Sequence, residues 1–256
     1  MKKNSINERI PFEDCPLIIV NKHRNCGFFR MKSNSINERI LYEDNHLIIV
    51  NKLPGEIVQG DKTGDLSLVE AVREYIKVTY NKPGNVFCGL VHRIDRPVGG
   101  AVVFAKTSKA LARMNEMVKN HLVRKIYWAL VEGFPEQEED TLTDFLRKNE
   151  KLNKSFCVDE HVEGARKAVL SYRVIEKYDH YSLLEVELQT GRHHQIRVQL
   201  SAMGHCIKGD LKYGAKRSNP DGSISLQAHR LIFEHPVSHL SIDVVADDQT
   251  KPKLTV

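Results

Sequence analysis

No stretch of this 256-residue chain approaches the roughly 20 consecutive apolar residues that a membrane-spanning helix requires. Lys2 and Lys3 are followed by neither a continuous apolar region nor a small-residue cleavage site, so the start does not read as a secretion signal and the expected compartment is the cytoplasm. The five cysteines, Cys15, Cys26, Cys88, Cys157 and Cys206, are odd in number, scattered and never spaced C-x-x-C, which argues against a disulfide framework and a zinc cluster. There is no glycine-rich phosphate loop opening a helix, because Val98-Gly99-Gly100 leads into an apolar run, and ATP chemistry is disfavoured accordingly. No G-x-S-x-G elbow occurs. A glycosidase needs two facing carboxylates, and only one acid here is framed by other polar groups. His193 and His194 are adjacent, so on a helix they would diverge by about 100° and meet one metal ion poorly. No metal site is expected.

What is present is an ordinary globular composition, 41% hydrophobic and 28% charged, with a formal net charge of +5. The distribution of that charge is uneven. Residues 91–130 carry eight Lys/Arg against Asp95 and Glu116, residues 191–217 carry six against Asp210, and residues 134–160 between them carry eight acids against four bases. Two basic blocks that meet in space would form a polarised surface of the kind a polyanion requires; solvated faces are the plainer reading.

An internal repeat opens the chain. Residues 4–22, NSINERIPFEDCPLIIVNK, recur as residues 34–52, NSINERILYEDNHLIIVNK, with 15 of 19 positions identical. Two copies are too few for a solenoid. Only the second runs on into Leu53-Pro54-Gly55, so it is expected to hold the strand position in the core. Residues 1–30 are then a duplicated N-terminal extension, peripheral or poorly ordered, before a single unit over 31–256.

Within that unit, Leu47-Ile48-Ile49-Val50 reads as a strand. A helix follows, capped by Ser67, with Leu68, Val72, Tyr75, Ile76 and Thr79 at helical spacing. Ala101 to Ala105 reads as a buried strand, and Thr107 or Ser108 opens a second helix with the stripe Leu111, Met114, Val118 and Leu122. Tyr127 to Gly133, Ala168 to Ile175 and Tyr181 to Leu188 read as further strands, and the acidic span between the first two as an excursion from the core. The run from Arg192 to Gly204 is helical through Ile196, Leu200 and Met203. Strands mostly alternate in pattern and do not interleave regularly with helices. The expected class is therefore α+β, a mostly antiparallel mixed sheet flanked by helices and loops.

Three groups could carry chemistry: Asp95 between Arg93 and Arg96; Lys125 and Tyr127 at a strand start; and Arg192, His193, His194, Gln195 and Arg197 at a strand-to-helix turn. An ion pair at a strand entrance and a true site fit the first group equally well. What survives elimination is a single Asp, nucleophile or base, among cations able to grip phosphates.

HRIDRPVGG followed by AVVFAKTSKAL, then KIYWALVEG, TGRHHQIRVQLSAMGHCIKGDLKYG and LQAHRLIFEHP, resembles the RluA-type pseudouridine synthases in content, order and spacing, as does the earlier VNKLPGEIV. The resemblance runs from about Tyr42 to Pro236. It departs at Val98-Gly99, where the family commonly has Thr-Ser or Val-Ser, and at His193, where a small residue is common. It implies a pseudouridine synthase-like fold and isomerisation of uridine in ribosomal or transfer RNA without a cofactor; a monomer is expected, with oligomeric state left open by the sequence. Asp95 matches the catalytic aspartate, Arg197 the arginine that pairs with it, and Tyr127 the tyrosine that stacks on the target base. Arg93, Arg96, Lys125, Arg192 and His194 are then candidates for gripping RNA around a flipped base. Two other readings stand beside this one: an RNA-binding or ribosome-assembly protein on the same scaffold without catalysis, and a nucleoside hydrolase.

Overall fold

In the second copy of the repeat, Leu47–Lys52 forms a fully buried strand, so a segment that reads as a short apolar run holds an interior position. The computed structural model describes residues 18–19, 35–61 and 64–246. In chain order the strands are β1 (Ile18–Ile19), β2 (Ile40–Glu43), β3 (Leu47–Lys52), β4 (Gly89–Leu90), β5 (Gly99–Ala105), β6 (Arg124–Glu132), β7 (Glu139–Asn149), β8 (Lys154–Val158), β9 (Arg166–Lys177), β10 (Tyr181–Leu188), β11 (Leu226–Glu234) and β12 (Ser241–Val245). The helices are α1 (Leu68–Thr79), α2 (Ser108–Lys119) and α3 (Gln195–Ala202). The strands make one sheet, ordered β2-β3-β5-β11-β6-β10-β9-β7-β8, with β4 beside β5, β12 beside β11 and β1 beside β12. Pairings are antiparallel except β5 with β11 and β1 with β12, which gives the mixed, mostly antiparallel sheet that the alternating patterns predict.

Each helix covers its own patch of sheet. The α1 stripe Leu68, Val72 and Ile76 packs on Ile48, Val50 and Phe104; on the other face Met114 of α2 packs on Ile49, Val103 and Phe233. Both starts are capped as expected, by a Ser67/Glu70 capping box on α1 and by Thr107, whose hydroxyl accepts from the Ala110 amide, on α2. Leu122, expected in the α2 stripe, lies beyond the helix end and is 60% exposed, because His121 turns the chain through a left-handed conformation. The third helix sinks Ile196 and Leu200 into a core with Val98, Tyr127, Leu184 and Leu226.

The acidic span is not an excursion. Its residues build β7 and β8, which extend the sheet beyond β9, so polar strands carry the edge. Strand β10 spans the predicted Tyr181 to Leu188, but its alternation breaks at a register shift between Leu183 and Leu184, both fully buried. The expectation for residues 1–30 falls outside the described residues except at Ile18–Ile19, whose backbone pairs with Ile242–Asp243.

One contact positions the site. Strand β5 touches β11 through only Gly99 with Gln227 and Gly100 with Ala228. Gly100 has φ of +116°, and a Cβ there would stand 2.3 Å from the Ala228 carbonyl oxygen. Only glycine fits so close an approach.

Candidate active site

The turn before β5 carries Asp95, and Lys52 at the end of β3 holds that turn from below. Its Nζ, fully buried, lies within hydrogen-bond distance of four carbonyls, Leu53 at 3.1 Å, Asp95 at 3.3 Å, Arg96 at 3.0 Å and Val98 at 2.6 Å, among which it shares its three hydrogens. Burial pushes the Lys52 pKa down to about 8, with Glu56 and Asp95 pulling the other way. The Gly55 amide adds a 2.8 Å bond to the Arg96 carbonyl, and Val98 N–H closes the turn onto the Asp95 carbonyl at 3.0 Å. The Asp95 backbone is therefore fixed by several independent bonds, as a reacting group requires.

Arg197, on the first turns of α3, reaches Asp95 from the other half of the sheet. Its Nη1 donates to Asp95 Oδ2 at 2.8 Å, while Nε and Nη2 form a two-bond fork with Asp210, at 2.6 Å to Oδ2 and 2.8 Å to Oδ1. Asp210 is 1% exposed. Burial works against the Arg197 charge, but the hydrogen bonds and charge of Asp210, then those of Asp95, outweigh it and hold the pKa above the ordinary arginine range. Asp210 aims one edge of the guanidinium so that the remaining nitrogen faces Asp95.

Tyr127 projects from β6 into the core that contains Val98 and Ile196 and is 7% exposed. Burial first, then the Asp95 charge, raises its pKa well above the usual tyrosine value, so at neutral pH the ring presents a phenol. His194 caps α3 in a left-handed conformation, φ 55°, its ring stacked on that of His193 with centroids 3.8 Å apart. Its Nδ1 lies 2.9 Å from the Tyr213 hydroxyl and its Nε2 3.5 Å from Asp95 Oδ2. Burial drives its pKa down to about 3 against the opposing pull of Asp95, leaving a neutral imidazole.

The structure thus brings Asp95, Tyr127, Arg197 and His194 together and sorts the remaining basic candidates. Arg93 is exposed. Lys125 is partly buried, and that burial lowers its pKa. Arg192 is exposed, its Nε bonded to the Lys167 carbonyl at 2.9 Å. Arg96 braces the loop through Gly55 O at 3.0 Å and Asp65 at 2.7 Å. His194, expected along an RNA track, is buried, with its Nε2 3.5 Å from Asp95 Oδ2. The residues missed from sequence are Lys52, Asp210 and Tyr213. Asp210 had a signal, being the single acid in the basic block 191–217.

The fold of this chain is shared by two solved human structures. RNA Pseudouridylate Synthase Domain Containing 4 superposes with a TM-score of 0.70 at 23% identity, over 82% of this chain and 88% of that one. For Domain Containing 1 the TM-score is 0.66 at 24% identity, over 85% and 86%. The class is therefore a pseudouridine synthase-like α+β protein. The family model for RNA pseudouridylate synthase matches residues 46–202, and the chain belongs to that family. An uncharacterised RNA pseudouridine synthase of Synechocystis sp. is 36% identical over 161 residues, 62% of this chain and 49% of that protein. The ribosomal large subunit pseudouridine synthase D of Zymomonas mobilis is 32% identical over 167 residues, 62% of this chain and 52% of that protein. The chain spans about half the length of the curated relatives it matches.

Proposed function

We propose that this protein isomerises a uridine in RNA to pseudouridine: the bond from ribose C1′ to base N1 breaks, the base turns, and C5 joins C1′. The observation that carries the reading is Asp95 held at 2.8 Å by an arginine that is itself locked to a buried second carboxylate, beside a buried tyrosine. A pure RNA-binding protein gains nothing from a carboxylate placed where phosphates must pass.

Asp95 is the reacting group, Arg197 its fixed counter-charge, and Tyr127 the wall on which the target base stacks once it leaves its helix. Arg93, Lys125 and Arg192 are assigned to grip the RNA backbone, and Arg96 steadies the loop. Family membership supports ribosomal or transfer RNA as substrate. An RNA substrate makes the cytoplasm its place of action; no described helix is long and apolar enough to cross a membrane.

The test is to map pseudouridines in total RNA from cells with and without the gene, then add purified protein to the deficient RNA. At least one position is expected to disappear with the gene and return with the wild-type protein. Asp95→Asn is expected to fold normally and restore none. Restoration by the Asn variant overturns the assignment, and release of free uracil favours a hydrolase.

A further inference from the structure

Asp95 is held unequally on its two oxygens. Arg197 Nη1 at 2.8 Å and His194 Nε2 at 3.5 Å both approach Oδ2, and Oδ1 takes no hydrogen bond from the described residues. Which nitrogen of His194 carries its hydrogen decides whether that second approach is a donor or a clash of lone pairs. The surroundings settle it. The Tyr213 oxygen accepts the backbone N–H of Ser155 at 2.9 Å, and the same oxygen lies 2.9 Å from His194 Nδ1. A phenol has a single hydrogen. With its oxygen accepting from Ser155 and no other acceptor for its hydroxyl among the described residues, Tyr213 gives that hydrogen to His194 Nδ1; burial raises its pKa further, to about 12. A neutral imidazole whose Nδ1 accepts must carry its hydrogen on Nε2. That hydrogen faces Asp95.

We propose that Tyr213 and His194 form a positioning relay for Asp95: Tyr213 holds His194 in its Nε2–H tautomer, and His194 together with Arg197 commits Oδ2, leaving Oδ1 as the oxygen that meets the substrate. The first half of the relay stands on the hydrogen bonds of Tyr213 and on a neutral His194; the second rests on Asp95 being the reacting carboxylate. At 3.5 Å the Nε2–Oδ2 contact is longer than a hydrogen bond, so the relay requires it to tighten when substrate closes the site. Backbone geometry serves the same end, since the left-handed His194 turns its ring between Tyr213 and Asp95 at the head of α3. His194 and Tyr213 are positioning residues and need not touch RNA.

A purely structural role makes a different forecast. Asparagine tolerates the left-handed conformation and reproduces the Nδ1 position, but it is too short to reach Asp95. Glutamine is less suited to that backbone, yet its amide N–H₂ reaches where Nε2 stands. If His194 only plugs the helix start, Asn is the better replacement; if it donates to Asp95, Gln is. The experiment compares H194N and H194Q with wild type for kcat and KM on the identified RNA, with thermal melting as the folding control. Imidazole ¹⁵N spectra of wild type and Y213F are recorded alongside, the His194 signal being assigned by its loss in H194Q.

The expected result is an Nε2–H tautomer for His194 in wild type that gives way to a mixture in Y213F. For H194N, kcat is expected to fall at least tenfold with KM changed less than threefold, a tenfold loss being in the range of one hydrogen bond. H194Q is expected to recover most of that loss. An Nδ1–H tautomer in wild type, an H194N as fast as wild type, or equal losses in the two variants overturns the relay. If the wild-type protein makes no pseudouridine, the proposed function fails, and the nitrogen spectra still decide the tautomer.

Discussion

At the scale of single residues, the site rests on a buried charge chain, Asp210 to Arg197 to Asp95, in which the middle member depends on both ends. Replacing Asp210 by Asn keeps the shape and removes the charge that orients Arg197. Breaking a buried pair on one side costs about 3 kcal/mol. D210N is therefore expected to lower the melting temperature and to reduce kcat more than RNA affinity, read by calorimetry and by turnover with separate binding measurements. The buried neutral histidines set the response to acid. Burial lowers His92 from 6.5 to about 4, with Lys125 adding to the effect, and His194 from 6.5 to about 3. Below pH 6.5 the unfolded chain takes up protons at these positions and the folded one does not, so stability falls as pH drops from about 6.5 towards 4. Melting curves over that range are expected to show a shallower decline for His92→Gln than for the parent. At this scale the sequence made Asp95, Tyr127 and Arg197 legible, because each sits in a quoted motif. It could not show that His194 faces inward, since burial of one residue at a helix start is decided by which strands lie over it.

Elements were legible where their cores are simple. The helix signals at Ser67 and Thr107 are local, and so they appeared in the sequence and in the structure alike. Strands β7 and β8 were not, because an edge strand with mostly exposed side chains carries no alternation of apolar residues to read. Strands β11 and β12 were missed for a different reason: a register shift between Ala228 and Arg230 breaks the alternation in β11, and a buried Asp243 interrupts it in β12. The β5–β11 contact belongs here as well. A methyl group at Gly100 would meet backbone and would also force an unfavourable φ, so G100A is expected to give insoluble protein or a fold lacking activity. The check is expression with circular dichroism. A soluble, active G100A would show that the two strands can separate without loss.

For the whole molecule, the two basic blocks of the sequence do meet, since the loop of the first and the helix of the second join at the Asp95–Arg197 bond. The duplicated copy at the N-terminus raises a question of redundancy: the second copy already occupies β3, between β2 and β5. Deleting residues 1–30 removes the short β1–β12 pairing and is expected to leave expression, melting temperature and turnover unchanged within error; loss of soluble protein would show that this pairing supports the fold. The bond between Asp95 and Arg197 joins residues 102 positions apart. Local folding therefore leaves the carboxylate without its cation. A chain still being made acquires Asp95 early and its partners, Arg197 and then Asp210, only after most of the sheet has been synthesised. The order of translation thus withholds the complete site until the scaffold around it exists.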